Sequence, residues 1–318
     1  MVSENVKFLE KEKKVNFILI IFLFINSGKV DSISSKIKRK KDARTTHIII
    51  QGAVGLSIYS WLVPSGFKIK DKMGLLVGLW TPFVWTNGQY VLAKASYPVT
   101  KEQAILSGWG AFDGLLHGMF LKDPEENGFL FPLVTSLTEN IGGFFLAKLT
   151  RPTRGIITRR ILQSINGYVL GSALSRAFDD IHNEGKWIGI TSILLGYGSY
   201  ALSLIYKDNF TTSGDALFEL ASANALGLSF TLLFNNNEKT QYYAYALGNC
   251  MGYALGMYLS KKNNLSFSKG ILSLLIPSIV SGAMIGSLAL AEVDENTTSI
   301  VSAIIIPLNT YATYYILK

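Results

Sequence analysis

The chain has 318 residues, of which 49% are apolar and 16% charged, with a net charge of +8. Soluble domains usually carry about 25% charged residues. Here the charges cluster between long apolar runs, which points away from a soluble domain and toward a polytopic membrane protein. The single cysteine, Cys250, excludes an intrachain disulfide and a cysteine-based zinc cluster. Mean hydropathy is only +0.29, because Gly, Ser, Thr, Asn and Tyr dilute the apolar runs. The helices are therefore expected to face one another more than lipid.

Residues 1–28 read as a targeting segment. Lys7, Lys11, Lys13 and Lys14 form a positive start, residues 17–25 a short apolar core, and Ser27 and Gly28 a small-residue end without an A-x-A site. A bilayer span needs about 20 residues, so a signal peptide fits better than a membrane helix, with a retained short anchor as the alternative. Residues 29–46 read as a basic linker. Its Lys36, Lys38, Arg39, Lys40, Lys41 and Arg44 precede an apolar run at once, which favours a topogenic flank over a nucleic-acid-binding patch.

The remainder, 47–318, divides into ten apolar helical candidates. They lie near 47–63, 72–95, 102–121, 128–149, 154–178, 187–206, 213–234, 241–260, 266–290 and 298–317. Most have the length of a membrane span, and their short links suit antiparallel neighbours. The expected fold is thus all-α: a polytopic helical bundle of tandem antiparallel hairpins. Trp61, Trp80, Trp85 and Trp187 stand where an aromatic belt would put them, and Pro277 and Pro307 are candidate kinks. Three segments make poor spans. That near 154–178 leaves only residues 161–174 between arginines, about 21 Å against a hydrocarbon core of roughly 30 Å. Those holding Asp113 and Glu219 carry an ionisable group within an apolar run. These three are expected inside the bundle.

The third segment also carries a helical stripe of Gly110, Gly114 and Gly118. Small residues four apart share one face and allow close helix approach. Similar centres recur downstream: Asn166–Gly167 with Gly171, Asn224–Ala225 with Ser229, and Ser281–Gly282 with Gly286. They are spaced by 53, 58 and 57 residues. Thirteen residues before each centre stands a hydroxyl (Thr100, Thr153, Thr211, Ser268), which is expected to cap a helix start. The partner helices echo one another as well, since 88–94 (GQYVLAK) parallels 142–148 (GGFFLAK); Gly248, Gly252 and Gly256 form the seam of a later copy. The chain reads as one initial hairpin followed by four tandem repeats. Cys250, between Gly248 and Gly252, reads as a small packing residue.

The stretch 99–121, VTKEQAILSGWGAFDGLLHGMFL, and its echoes resemble the Gly-rich helical-hairpin repeats of uncharacterised bacterial envelope proteins over residues 47–318. That resemblance implies an envelope location, inner membrane before outer, and implies no activity.

The loops alternate in charge, and the positive-inside rule puts both ends of a ten-span bundle in the cytoplasm. A cleaved signal peptide would put residue 29 outside, so orientation follows from neither inference. The intramembrane polar candidates are Asp113, His117, Glu139, Glu219, Arg159 and Asn166. Asp113 and His117, four apart, could relay protons or fix packing by hydrogen bonding. Glu139 and Glu219 could bind ions; otherwise Glu139 contacts Asn140 and Glu219 is solvent-exposed. Arg159 and Asn166 share a face and could line a cavity, although an interfacial anchor suits Arg159 better. No metal-ligand set is complete, and no nucleotide loop, nucleophile elbow or other cofactor motif is present. The leading expectation is a non-enzymatic structural or scaffolding protein of the envelope. Its partners would be the lipid bilayer and either further copies of itself or other envelope proteins, with no nucleic acid. The rival is a small-solute or ion transporter lined by Asp113, His117, Glu139 and Glu219. A membrane enzyme using Asp113 and His117, or a soluble helical array, ranks below both.

Overall fold

A computed structural model describes residues 42–122, 128–206, 211–234, 237–261 and 264–318. The expected targeting segment and most of the linker fall outside the described residues. The described residues form ten long helices: α1 Arg44–Gly66, α2 Asp71–Ala95, α3 Lys101–Leu121, α4 Leu130–Thr150, α5 Arg154–Ala177, α6 Glu184–Ile205, α7 Ser213–Leu233, α8 Glu238–Ser260, α9 Phe267–Leu290 and α10 Glu295–Leu317. A π turn at Gly55–Tyr59 interrupts α1, which begins inside the stretch read as linker. The helices run without a break through Pro277 and Pro307.

Polar residues at the segment starts set where the helices begin. Thr100 and Gln103 form a reciprocal capping box on α3, and Thr212 and Asp215 form one on α7. Thr153, Asn237, Ser266 and Asp294 cap α5, α8, α9 and α10. Such caps are each worth about 0.5–2 kcal/mol. The fixed thirteen-residue offset therefore holds for two copies only. Thr212 caps in place of Thr211, and Ser266 in place of Ser268.

The seams between hairpin partners are glycine-lined. A Cβ on Gly110, Gly114 or Gly118 of α3 would run into the backbone of Glu139, Thr135 or Pro132 of α4. The partner numbers fall as the glycine numbers rise, so the two helices are antiparallel. Gly167 and Gly171 of α5 meet Ser192 and Ile188 of α6 in the same sense, and Gly248, Gly252 and Gly256 of α8 meet Leu226, Ser222 and Glu219 of α7. Gly282 and Gly286 of α9 break the expectation: nothing stands within 4 Å of where their Cβ atoms would be. Here α10 is drawn onto α7, where Tyr314 stacks on Phe218 at 4.0 Å between ring centres. A cavity of about 290 Å³ remains between α7, α9 and α10. Cys250 is exposed, which corrects its reading as a packing residue; the glycines on either side of it face α7, so it points away from the seam.

One neighbour relation recurs along the chain. Each even-numbered helix packs on its own hairpin partner; α4, α6, α8 and α10 also pack on α1, α3, α5 and α7, one hairpin back. Consecutive odd-numbered helices touch as well, and their starts lie together: Gly155 of α5 abuts Thr211 and Thr212, and Gly214 of α7 abuts Leu265 and Ser266. The three helices expected inside the bundle, α3, α5 and α7, occupy the interior, where Asp113, Arg159, Arg160 and Glu219 are all 3% exposed or less. Among the described residues six helices are long and apolar enough to cross a membrane, α1, α4, α6, α7, α9 and α10, which corrects the reading of α7 as a poor span. Together with exposed Leu75, Leu79 and Phe83 on α2 and Ile279 and Leu290 on α9, they give an all-helical, multi-pass membrane protein.

Candidate functional site

Arg159 and Arg160 are the two buried charges of α5. Consecutive residues on a helix point about 100° apart, so the two guanidinium groups enter different helix junctions.

Arg160 enters the junction between α3–α4 and α5–α6. Its Nη2 lies 3.1 Å from Asp113 Oδ2 and 3.4 Å from Glu139 Oε2, and its guanidinium carbon stands 4.3 Å from the centre of the Tyr197 ring. Asp113 Oδ1 accepts hydrogen bonds from Ser164 Oγ (2.7 Å) and Tyr168 OH (2.6 Å). His117 Nδ1 lies 2.6 Å from Glu139 Oε1 and its Nε2 lies 3.0 Å from Ser192 Oγ. Ser192 and Ser164 are 2.7 Å apart, and Tyr197 donates to Glu139 Oε2 at 2.9 Å. The Asp113–His117 approach itself is long, 3.8 Å. Asp113, His117, Arg160, Ser164 and Ser192 are buried, whereas Tyr168 and Tyr197 are half-buried and the Glu139 side chain is 15% exposed.

Asp113, His117 and Glu139 bring ligand-type atoms within 4.8 Å of one another. The positive charge that offsets the two carboxylates is already the Arg160 guanidinium, and His117 uses both ring nitrogens in hydrogen bonds. We therefore read the group as a hydrogen-bonded ion cluster rather than a metal centre. Arg160 Nε and Nη1 have no hydrogen-bond acceptor among the described residues, so this guanidinium is held by charge more than by aligned hydrogen bonds.

Arg159 turns to the next junction. Its Nε and Nη2 grip Glu219 as a fork, both at 2.7 Å, while Nη1 donates to Ser203 and Nη2 also to Thr211. Ser260 donates to Glu219 Oε1 at 2.9 Å. Arg159 is thus not an interfacial anchor, and Glu219 is not solvent-exposed. Asn166 exchanges amide hydrogen bonds with Asn249 of α8 at 2.9 and 3.1 Å. It does not share a cavity with Arg159. Asn140 leaves Glu139 to the ion cluster and closes a ring with Gln51 and Ser107, linking α1, α3 and α4.

Of the six sequence candidates, the fold unites Asp113, His117 and Glu139. It pairs Arg159 with Glu219 apart from them, and Asn166 with Asn249. Sequence reasoning missed Arg160, Ser164, Tyr168, Ser192 and Tyr197 as members of the cluster. The one available signal was Arg160 itself, a second charge beside Arg159 in α5. At the link before α6, outside the spans, Asp180 accepts from the Asn183 amide and the Trp187 indole, and these bonds hold its carboxyl below the usual carboxylate range. Comparison of the chain with family models, curated proteins and solved structures returns no match.

Proposed function

We propose that this protein is a non-enzymatic structural element of a bacterial envelope membrane, most consistent with the inner membrane, built as one initial hairpin and four tandem repeats. The observation that carries the reading is the use made of interior polar groups: every junction between successive hairpins holds a polar tie. Gln51, Ser107 and Asn140 join the first hairpin to the second. The Arg160 cluster joins the second to the third. The Arg159–Glu219 fork and the Asn166–Asn249 pair join the third to the fourth. A Ser222–Tyr311 hydrogen bond of 2.9 Å joins the fourth to the fifth. Buried polar pairs often add little to stability over apolar packing, and their best-attested role is to fix register. An array that needs each hairpin in one register against the last has a use for such ties.

A transporter lined by all four of Asp113, His117, Glu139 and Glu219 has less support, because Glu219 is bound into a separate junction. Two sets of measurements, one on native membranes and one on reconstituted vesicles, test the structural reading. Native gels and cross-linking are expected to find the protein in an assembly of several copies or with other envelope proteins. Uptake assays in reconstituted vesicles are expected to show no accumulation of sugars, amino acids or inorganic cations. A lone monomer that accumulates such a solute would overturn the reading.

A further inference from the structure

The links between helices hold a repeated contact that is complete at one place and half-made at two others. Odd-numbered helices start together at one face of the bundle, so the links that follow them share the opposite face. Three of those links make the same turn. The second residue past the helix is left-handed in each: Lys68 after α1 (φ 55°), Asp179 after α5 (φ 56°) and Glu292 after α9 (φ 52°). The N–H of that residue reaches the carbonyl three back, and the next N–H the carbonyl five back: Ser65 and Pro64, Arg176 and Ser175, Ala289 and Leu288.

At the middle one of these turns the contact is complete. Lys239, the second residue of α8, forms an ion pair with Asp179, one hairpin back. The start of α2 repeats the pattern, with Asp71–Lys72 where α8 has Glu238–Lys239. Among the described residues no hairpin lies behind α2 to offer Lys72 an acid. Glu292 in turn stands where Asp179 does, and no described helix after α10 offers it a lysine. Both side chains belong to exposed residues.

We propose that a second copy of this chain completes the contact: its α2 packs along α9 as α8 packs along α5, antiparallel, with Lys72 on Glu292. The helix faces are open for it. On α9 only 17% of the most apolar stretch is buried, against 56% on α7, and Leu272, Leu275 and Ile279 are exposed. On α2, Leu76, Leu79 and Phe83 are exposed. Lipid satisfies apolar faces by itself; charge is what selects a second copy. The α1–α2 link and the start of α2 carry Lys68, Lys70 and Lys72, whereas the α9–α10 link and the start of α10 carry Glu292, Asp294 and Glu295. The two ends of the array are thus opposite in charge at the same face, and copies that share one orientation in the membrane bring them together. A surface ion pair adds little affinity; here it sets register, and the helix faces supply the area. The contact is head-to-tail, so copies close into a ring or continue as a row. The proposal rests on the structural reading above in one respect, that several copies assemble, and names how they do so.

The test is cross-linking in membranes of cells expressing the full chain, with a short thiol-reactive bifunctional reagent on a Cys250→Ser background. Lys72→Cys, Glu292→Cys is expected to give a ladder of dimers, trimers and larger species, and each single variant less than a tenth of that dimer. Two differently tagged chains, one with Lys72→Cys and one with Glu292→Cys, are expected to join in a dimer carrying both tags. Asp179→Cys, Lys239→Cys is expected to bridge within the chain, as a control on the contact being copied. All four positions are exposed, so these substitutions leave the interior intact. No ladder while the internal bridge forms would overturn the proposal, as would a dimer from a single variant in equal yield or cross-links to a different protein alone. Failure of the internal bridge removes the contact being copied and overturns it too. None of these results touches the structural reading, which falls to a solute-accumulating monomer.

Discussion

Two arginines adjacent in sequence solve the same problem in different ways. Arg159 meets one carboxylate, Glu219, in a two-bond fork, and Ser203, Thr211 and Ser260 satisfy most of what remains. Arg160 meets two carboxylates at longer range, leaves two of its nitrogens without hydrogen-bond acceptors among the described residues, and shares its site with an imidazole and two hydroxyls. A buried charge is costly unless it is both paired and hydrogen-bonded. The fork meets both conditions with one partner and has one arrangement. The Arg160 cluster meets the first by spreading charge over two carboxylates and leaves the second incomplete. The comparison separates a tight two-partner lock from a looser cluster of several groups.

The largest expected effect breaks the lock. Glu219→Gln keeps the shape and leaves Arg159 buried without its countercharge, which should cost about 3–5 kcal/mol, read as a fall in the midpoint of denaturation in detergent. Asp113→Asn sharpens the contrast. Arg160 keeps Glu139, so the loss should be smaller, about 1–3 kcal/mol, near that of leaving one buried polar group poorly satisfied. Equal losses for the two variants would erase the distinction between the sites.

The glycine seams give the same contrast in packing. Gly114→Val places its side chain against the backbone of Thr135 and Ser136 and should cost about 1–3 kcal/mol by overpacking. Gly282→Val has open space around it and should stay within about 0.5 kcal/mol of wild type, as substitutions away from the core do. The smallest effect concerns pH. Because the Asp180 carboxyl is depressed in the fold, what it contributes is present above the ordinary carboxylate value and is lost as pH falls through the lower folded value. Acidification below about pH 4 should therefore release the Trp187 indole, seen as a change in its fluorescence that Asp180→Asn removes.

Much of the fold was legible because its determinants are local. Ten apolar runs of span length lie between polar caps, and the helices begin and end within a few residues of those runs. Charged residues within their apolar runs placed α3, α5 and α7 inside, although α7 is itself apolar enough to span. The seams at Gly110, Gly114 and Gly118 followed from spacing on one helix. Spacing says what a face can accept and not what arrives there. Gly282 and Gly286 carry the same pattern, yet α10 is held on α7 by the Phe218–Tyr314 stack, and the glycines stay uncovered. The same gap explains the site. That Asp113 and His117 share a face was readable; that Glu139 joins them and Glu219 does not depends on which side of α5 each hairpin occupies. The direction of a helix face relative to its neighbours is fixed only when all the junctions close together.

That closure is the central claim, and the Asn166–Asn249 pair tests it most directly. It links the third and fourth hairpins at the middle of two helices, 83 residues apart in the chain. In membranes washed with alkaline carbonate, the variant Asn166→Cys, Asn249→Cys, Cys250→Ser should be bridged within the chain in high yield by a short thiol-reactive bifunctional cross-linker. The single-cysteine variants should form no bridge within the chain. Absence of that cross-link, or release of the protein into the wash, would contradict the account.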